Sequence, residues 1–271
     1  MYKIEKSFNN ARQKSFDSFC ITLKELLGKE NISEIDFFDK WQENMSNEKG
    51  IIANGWYSPP PKGMAVLFGD RVSFDSLRNE KNWASNRIIN WKEDLLYAYC
   101  SPIDKTTGII GDISLTLYFG EDKKIIEHFK NCYNATNEIF GELHKLNNSK
   151  ELFYYSQEIF SKYKLKNCII SKTDTQPLDL GHTFPTLENT QDKNILTDEE
   201  KQIISKARKF INENSSWDFE NEMQFTIEPQ LVSTENSGLP QISQHYLIKK
   251  RENDFVICND IDSLLEKYQL I

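Results

Sequence analysis

The sequence has little of what marks a secreted, membrane-spanning or nucleic-acid-binding chain. Its five cysteines, Cys20, Cys100, Cys132, Cys168 and Cys258, stand singly without CxxC spacing. That pattern excludes a disulfide framework and reads as reduced thiols. No apolar run approaches the length of a membrane span, and the opening MYKIEKSFNNARQKSF has no apolar h-region, so neither a span nor a signal peptide is expected. Basic residues are outnumbered, 33 Lys and Arg against 41 Asp and Glu, and they cluster only in short runs such as IKKR at 248–251. The resulting net charge of -8 argues against an electrostatic grip on nucleic acid or on an anionic membrane. A cytoplasmic protein with neither of those partners is expected. Fixed-period repeats and low-complexity segments are absent as well.

What remains is an α/β pattern over 271 residues, enough to bury a full core. From Tyr2 to Leu27, Phe8, Phe16, Phe19, Leu23, Leu26 and Leu27 recur at helical spacing, and Gly28 closes the pattern. Ser33, with Asp36 three residues on, opens a second helix. IIANGWYSPPPKGMAVLFGD supplies a strand, a proline-stiffened rim and another strand. DLLYAYCSP and GDISLTLYFG read as an antiparallel pair joined by the turn IDKTTG. Helices follow at about 122–146 and 150–163, then the strand KNCIISKTD, an irregular stretch, and a helix opened by Thr197 and Glu200. The chain closes with the strands MQFTIEPQLVS, PQISQHYLIKK and DFVICN and a short helix near Leu264.

Three polar residues break apolar or irregular segments: Asp112 at the head of GDISLTLYFG, His182 in DLGHTFP and Glu228 in FTIEPQL. Two carboxylates and an imidazole are what a hard or borderline divalent metal takes. Each also has a plain structural reading, as a turn residue, a loop hydrogen-bonder and a solvent-facing strand residue. Asp104 caps its turn in the simplest reading, and His128 and His144 sit on an amphipathic helix as structural residues. Runs of Lys and Glu read as solvated faces.

GDISLTLYFG, GHTFP and FTIEPQL, in that order, resemble the motif strands of the pita-bread metallopeptidases, the group of methionine aminopeptidase, aminopeptidase P, prolidase and the non-peptidase creatinase. The resemblance covers about Ile51 to Ile271, and TIEP is its most specific element. It implies a pita-bread fold of the α/β (α+β) class, a curved antiparallel sheet flanked by helices, over residues 49–271, with a helical segment over 1–48 ahead of it. It implies metal ligation by Asp112, His182 and Glu228, with Glu228 and His182 as the catalytic pair. Trp56 and Tyr57 beside the proline rim, Tyr99, Gln244 and His245 become the candidates for substrate contact.

The family's ligand set for two metals is incomplete. YAYCSP offers Tyr99, Cys100 and Ser101 where the first Asp should stand, ISQHYLI puts Gln244 in place of the last Glu, and TFPTLENT lacks the additional His. The resemblance therefore implies one divalent metal, Fe, Mn, Zn or Co, and a metal-dependent enzyme for a small amide, carboxylate or short peptide-like substrate, working as a homodimer. Three alternatives stay open. One is a mononuclear iron or manganese enzyme with non-hydrolytic chemistry. Another is metal-free acid/base catalysis by His182 with Glu228 as in creatinase, and the third is an inactive pseudo-peptidase that binds a partner.

Overall fold

Asn9 caps the first helix by accepting the main-chain N–H of Arg12, and α1 runs over Asn10–Leu26. Phe16, Phe19, Leu23 and Leu26 are buried on one face, as their spacing predicts. Gly28, at φ +77, leaves the helix in the left-handed conformation that disfavours side chains. The expected start at Tyr2 is too early. Tyr2–Glu5 is a strand, β1, whose main-chain groups are taken up by a C-terminal strand, a pairing that local sequence does not announce. Ser33 and Asp36 form the expected capping box of α2, Glu34–Ser46. The structure is a computed structural model that describes residues 2–5, 7–168, 178–252 and 254–271. Most of the expected strand KNCIISKTD therefore lies outside the described residues.

The chain divides into two compact units, and α1 and α2 belong to the one formed by Ser7–Gly120 and Pro185–Ala207. Its main sheet orders β3 (Met64–Phe68), β4 (Leu95–Cys100) and β6 (Ile113–Tyr118) as β3-β4-β6, all antiparallel. A short pair joins β2 (Ile51–Ile52) to β5 (Ile103–Asp104), and α5 (Asp198–Ala207) opens with the expected Thr197–Glu200 capping box. The β4–β6 hairpin sets Cys100 opposite Ile113 and Tyr99 opposite Ser114. Asp104 Oδ1 accepts the N–H groups of Thr106 and Thr107, which makes it the turn cap its position suggested. Every residue of β6 is buried, so the alternation in GDISLTLYFG does not mark a wet face. Phe19, Phe37, Trp41, Phe68, Trp91 and Phe119 interlock mostly edge to face in the core. The buried Glu34 carboxylate takes the N–H of Phe68 and of Ser85 and pairs with Arg71.

The other unit comprises the N-terminal strand, Glu121–Phe184 and Arg208–Ile271. One sheet orders β1, β12 (Asp254–Cys258), β11 (Tyr246–Arg251) and β8 (Gln224–Ile227), antiparallel except for β1 beside β12. A second orders β10 (Ile242–Ser243), β9 (Gln230–Ser233) and β7 (Leu165–Asn167). The helices are α3 (Lys123–Glu142), α4 (Ser149–Lys162) and α6 (Asp262–Lys267). Two expected strands are each two strands here. MQFTIEPQLVS breaks at Glu228–Pro229 and PQISQHYLIKK at Gln244–His245, and the halves join different sheets. Pro229 has no N–H to give a ladder, so the chain changes sheets there, and Glu228, Gln244 and His245 all fall at the crossover. Among the described residues no helix is long and apolar enough to cross a membrane.

Asp262 tests this unit's electrostatics. Its oxygens accept from Tyr246 Oη at 2.8 Å and Tyr133 Oη at 3.4 Å, yet burial outweighs these bonds and raises its pKa from 3.8 to about 6. A folded-state pKa above the unfolded one favours folding below pH ~4, and that contribution is lost as pH rises through about 6. Asp262→Asn is expected to remove a stability loss of about 2 kcal/mol between pH 4 and 7, read as a flatter dependence of Tm on pH. An unchanged profile would show that the carboxyl is solvated.

Candidate active site

His182 stands on a segment held from both sides. Leu180 N–H bonds the Ile211 carbonyl and Thr183 N–H that of Lys209, while Thr226 N–H bonds the His182 carbonyl and Glu228 N–H that of Leu180. The glycine of the GH pair is required by this crossing, since a Cβ on Gly181 would stand 2.2 Å from the Thr226 carbonyl oxygen. Thr226 Oγ1 accepts the His182 N–H, and Phe184 and Phe210 flank the ring. The motif residues GH and TIE are thus hydrogen-bonded neighbours.

The imidazole's tautomer follows from its partner. His182 Nδ1 lies 3.0 Å from the Thr183 carbonyl, which can only accept, so Nδ1 carries the proton. Burial, with the Arg208 charge adding to it, holds the His182 pKa well below the ordinary histidine value, so the ring is neutral and Nε2 is a lone pair. That lone pair faces Glu228 Oε1 at 3.6 Å, and on the other side Glu228 Oε2 faces His245 Nδ1 at 3.5 Å. All three side chains are buried.

Gln244 completes the crossover, with its amide 3.3 Å from Thr136 Oγ1. The single Thr136 hydroxyl proton has a second acceptor, the Cys132 carbonyl at 3.0 Å, and the Gln244 Nε2 is buried without a partner among the described residues. Turning the amide over satisfies both groups: NH₂ donates to Thr136 Oγ1, the hydroxyl donates to Cys132, and Oε1 becomes the acceptor on offer. The neutral residue at the place of the family's last Glu then presents an oxygen.

Asp112 belongs to the other unit, at the start of β6. It is buried, and Trp56 Nε1 donates to its Oδ1 at 2.7 Å. Gly111 before it lies against α1, where a Cβ would stand 2.6 Å from both the Ala11 Cβ and the Arg12 nitrogen. This close approach brings in a residue that sequence reasoning misses. Arg12 is fully buried and donates through Nη1 to the Asp112 carbonyl at 2.9 Å. Burial pushes the neighbouring Cys100 thiol up. Arg12 stands four residues before Phe16 and seven before Phe19 on the buried stripe of α1, and that position was the signal in the sequence.

Ser101, in the stretch that lacks the family's first Asp, has a structural task. Its carbonyl takes the Trp56 N–H at 3.0 Å and its hydroxyl the Tyr57 N–H at 3.1 Å, which anchors the aromatic segment to the end of β4. Trp56 is buried, Tyr57 is half-buried, and the rings of Trp56, Tyr57 and Tyr99 meet edge to face at 5.5 and 5.8 Å. Of the aromatic candidates for substrate contact, Trp56 thus holds Asp112 and Tyr57 keeps an accessible ring.

Among the described residues no group of three or more His, Cys, Asp or Glu is arranged to hold a metal ion. The local chemistry fits one in part: His182 Nε2 and Glu228 Oε1 are two acceptors turned toward each other. His128, by contrast, bonds the Pro240 carbonyl through Nε2 and is structural, as expected.

Known structures share this chain's fold. A prolidase from Pyrococcus horikoshii superimposes with a TM-score of 0.62 at 15% identity, covering 92% of this chain and 59% of its own. An X-Pro aminopeptidase from Thermotoga maritima gives 0.61 at 14% identity, with 92% and 58% covered. A methionine aminopeptidase from Rickettsia prowazekii gives 0.56 at 13% identity, with 94% of this chain and 99% of its own covered. This chain has the pita-bread fold. It spans less than two thirds of the first two proteins and nearly the whole of the third. No protein-family model and no curated protein matches the sequence.

Proposed function

We propose that the chain is a metal-dependent, peptidase-like enzyme acting on a small amide or carboxylate substrate, with one divalent metal held by His182 and Glu228. The opposition of two lone pairs carries this reading. A cation between an unprotonated Nε2 and the carboxylate oxygen facing it at 3.6 Å relieves their repulsion. Imidazole with carboxylate suits Fe, Mn, Co or Zn. Asp112, a ligand by the resemblance, lies in the other unit, where the Trp56 indole orients its carboxylate. A neutral Gln244 and the missing carboxylate in YAYCSP support one metal rather than two.

When bound, such an ion supplies Lewis-acid polarisation of an amide carbonyl and acidification of water. Glu228 is the proton shuttle in this reading, and His245, facing its second oxygen, holds the carboxylate in place. Of the aromatic candidates for substrate contact Tyr57 is the half-buried one, Trp56 and Tyr99 being buried.

Anaerobic loading with each of Mn, Fe, Co and Zn, followed by elemental analysis, tests the proposal. About one ion per chain is expected in the wild type, with near-complete loss in His182→Ala. A wild-type stoichiometry near zero for all four would overturn it. One bound iron with oxygen consumption and no amide cleavage would instead favour non-hydrolytic chemistry.

Arg12 favours a second reading, a binding module on a peptidase fold. A buried guanidinium bonded to the Asp112 carbonyl brings a positive charge to that residue without a metal.

A further inference from the structure

Strand β1 ends its sheet with an open edge. β12 takes one side of it, and among the described residues no strand lies on the other. The ladder fixes which groups face outward. Asn259 N–H bonds the Glu5 carbonyl at 3.3 Å, so Glu5 and, two residues before it, Lys3 turn their main-chain groups to β12. These groups alternate sides along a strand, and the N–H and carbonyl of Ile4 therefore point away from the sheet. The Ile4 side chain is 57% exposed, whereas Tyr2, on the same face of the strand, is held edge to face by Phe140 of α3 at 6.3 Å. An edge of this kind is a template for another strand, and native folds usually blunt it with proline or lysine.

Proline is absent from β1, and its lysine has an acid two residues on. Lys3-Ile4-Glu5 is self-complementary about its centre. When two copies run antiparallel with Ile4 opposite Ile4, each Lys3 faces the partner's Glu5. In that register the two Ile4 residues form a bonded pair, each N–H donating to the other's carbonyl. Within the chain Lys3 pairs with Asp254 at 3.2 Å and Glu5 with Arg251 at 2.6 Å, but the four side chains keep 37–69% of their surface. Pairs so exposed bind weakly, and an ammonium with three donors can serve two carboxylates. A groove of about 560 Å³ lined by Tyr2, Ile4, Gly141 and His144 adjoins the strand. A Cβ on Gly141 would meet nothing within 4 Å, which leaves room there for the partner's Ile4. All of these residues belong to one unit.

We propose that β1 is a dimerisation edge, to which a second copy of this chain adds its own β1 antiparallel, with Ile4 at the two-fold axis. The pairing joins two four-stranded sheets into one of eight strands. Main-chain bonds supply the attraction, and the crossed Lys3 and Glu5 pairs fix the register. Such a contact uses each edge once and closes at two copies. It is independent of metal binding by His182 and Glu228.

Sedimentation equilibrium of the full chain from about 1 to 100 μM tests this, a range that brackets micromolar association. The wild type is expected to dimerise and to go no further. Ile4→Pro removes the outward N–H and none of the bonds to β12, so this variant should be monomeric with an unchanged far-UV circular dichroism spectrum. Lys3→Glu sets like charges opposite each other at both pairs, and Glu5→Lys does the same with the other sign. Each should raise the dissociation constant about tenfold or more. Mixing these two single variants should restore the dimer, because every charge at the seam then faces its opposite; a variant that had merely failed to fold would not be rescued. A wild type that stays monomeric, a dimer untouched by Ile4→Pro, single variants that remain apart on mixing, or association beyond two copies would overturn the proposal.

Discussion

Arg12→Met is expected to destabilise the protein by about 3–5 kcal/mol, the cost of leaving one member of a buried charge pair alone. The methionine fills much the same length but gives the Asp112 carbonyl no donor, and it removes the buried cation bonded to that residue, whose carboxylate takes the Trp56 indole. Asp112→Asn keeps an oxygen for that indole and removes the negative charge, so the double variant Arg12→Met, Asp112→Asn should be more stable than the sum of the two single effects. A coupling of about 1–3 kcal/mol, read from urea unfolding of the four proteins, would show that Arg12 compensates Asp112. Strict additivity would mean that the guanidinium serves the α1 contact alone. The result also separates the two functional readings. In a binding module Arg12 is the permanent counter-charge of Asp112, so metal should leave the unfolding free energy of Arg12→Met as it is. In the metalloenzyme a divalent ion in excess should recover a measurable part of it.

The parts of this molecule that were legible in the sequence are those in which a residue's task is local. The Ser33 cap, the apolar stripe of α1, the β4–β6 hairpin and the Asp104 turn all follow from neighbours a few residues away, and the structure holds each of them. The GH and TIEP strands were legible through resemblance, and Gly181 supplies the physical reason, a crossing too close for a Cβ. What escaped was set by distant partners. Arg12 and Glu34 were not singled out in the sequence, yet both are fully buried beside groups far along the chain. The sheet change at Glu228–Pro229 escaped for another reason: apolar alternation runs on through the proline, and only the missing N–H marks the break. That break matters more than any strand, because Glu228, Gln244 and His245 lie where the two sheets exchange chains.

Gly111→Ala should cost about 3 kcal/mol, the upper part of the range for overpacking a close contact. The added Cβ would meet the Ala11 Cβ and the Arg12 nitrogen at 2.6 Å, and the second of these is main chain that no side-chain rotation can move away. Gly111 is not among the residues with positive φ, so conformational freedom does not explain it and the cost is steric. Two controls separate that cause from a general intolerance of substitution. Gly141, within α3, has nothing within 4 Å of the point where a Cβ would stand, so Gly141→Ala should raise stability by about 0.5–1 kcal/mol through helix propensity. Ala11→Gly in the Gly111→Ala background should recover part of the loss by removing one of the two clashes. If Gly111→Ala unfolds in urea like the wild type, α1 does not lie against β6 at this distance, and the bond from Arg12 to Asp112 fails with it. If it is destabilised as expected, the glycine of the GD pair is explained by the same rule as that of the GH pair: each gives up a side chain so that a second segment can reach the functional residue that follows it.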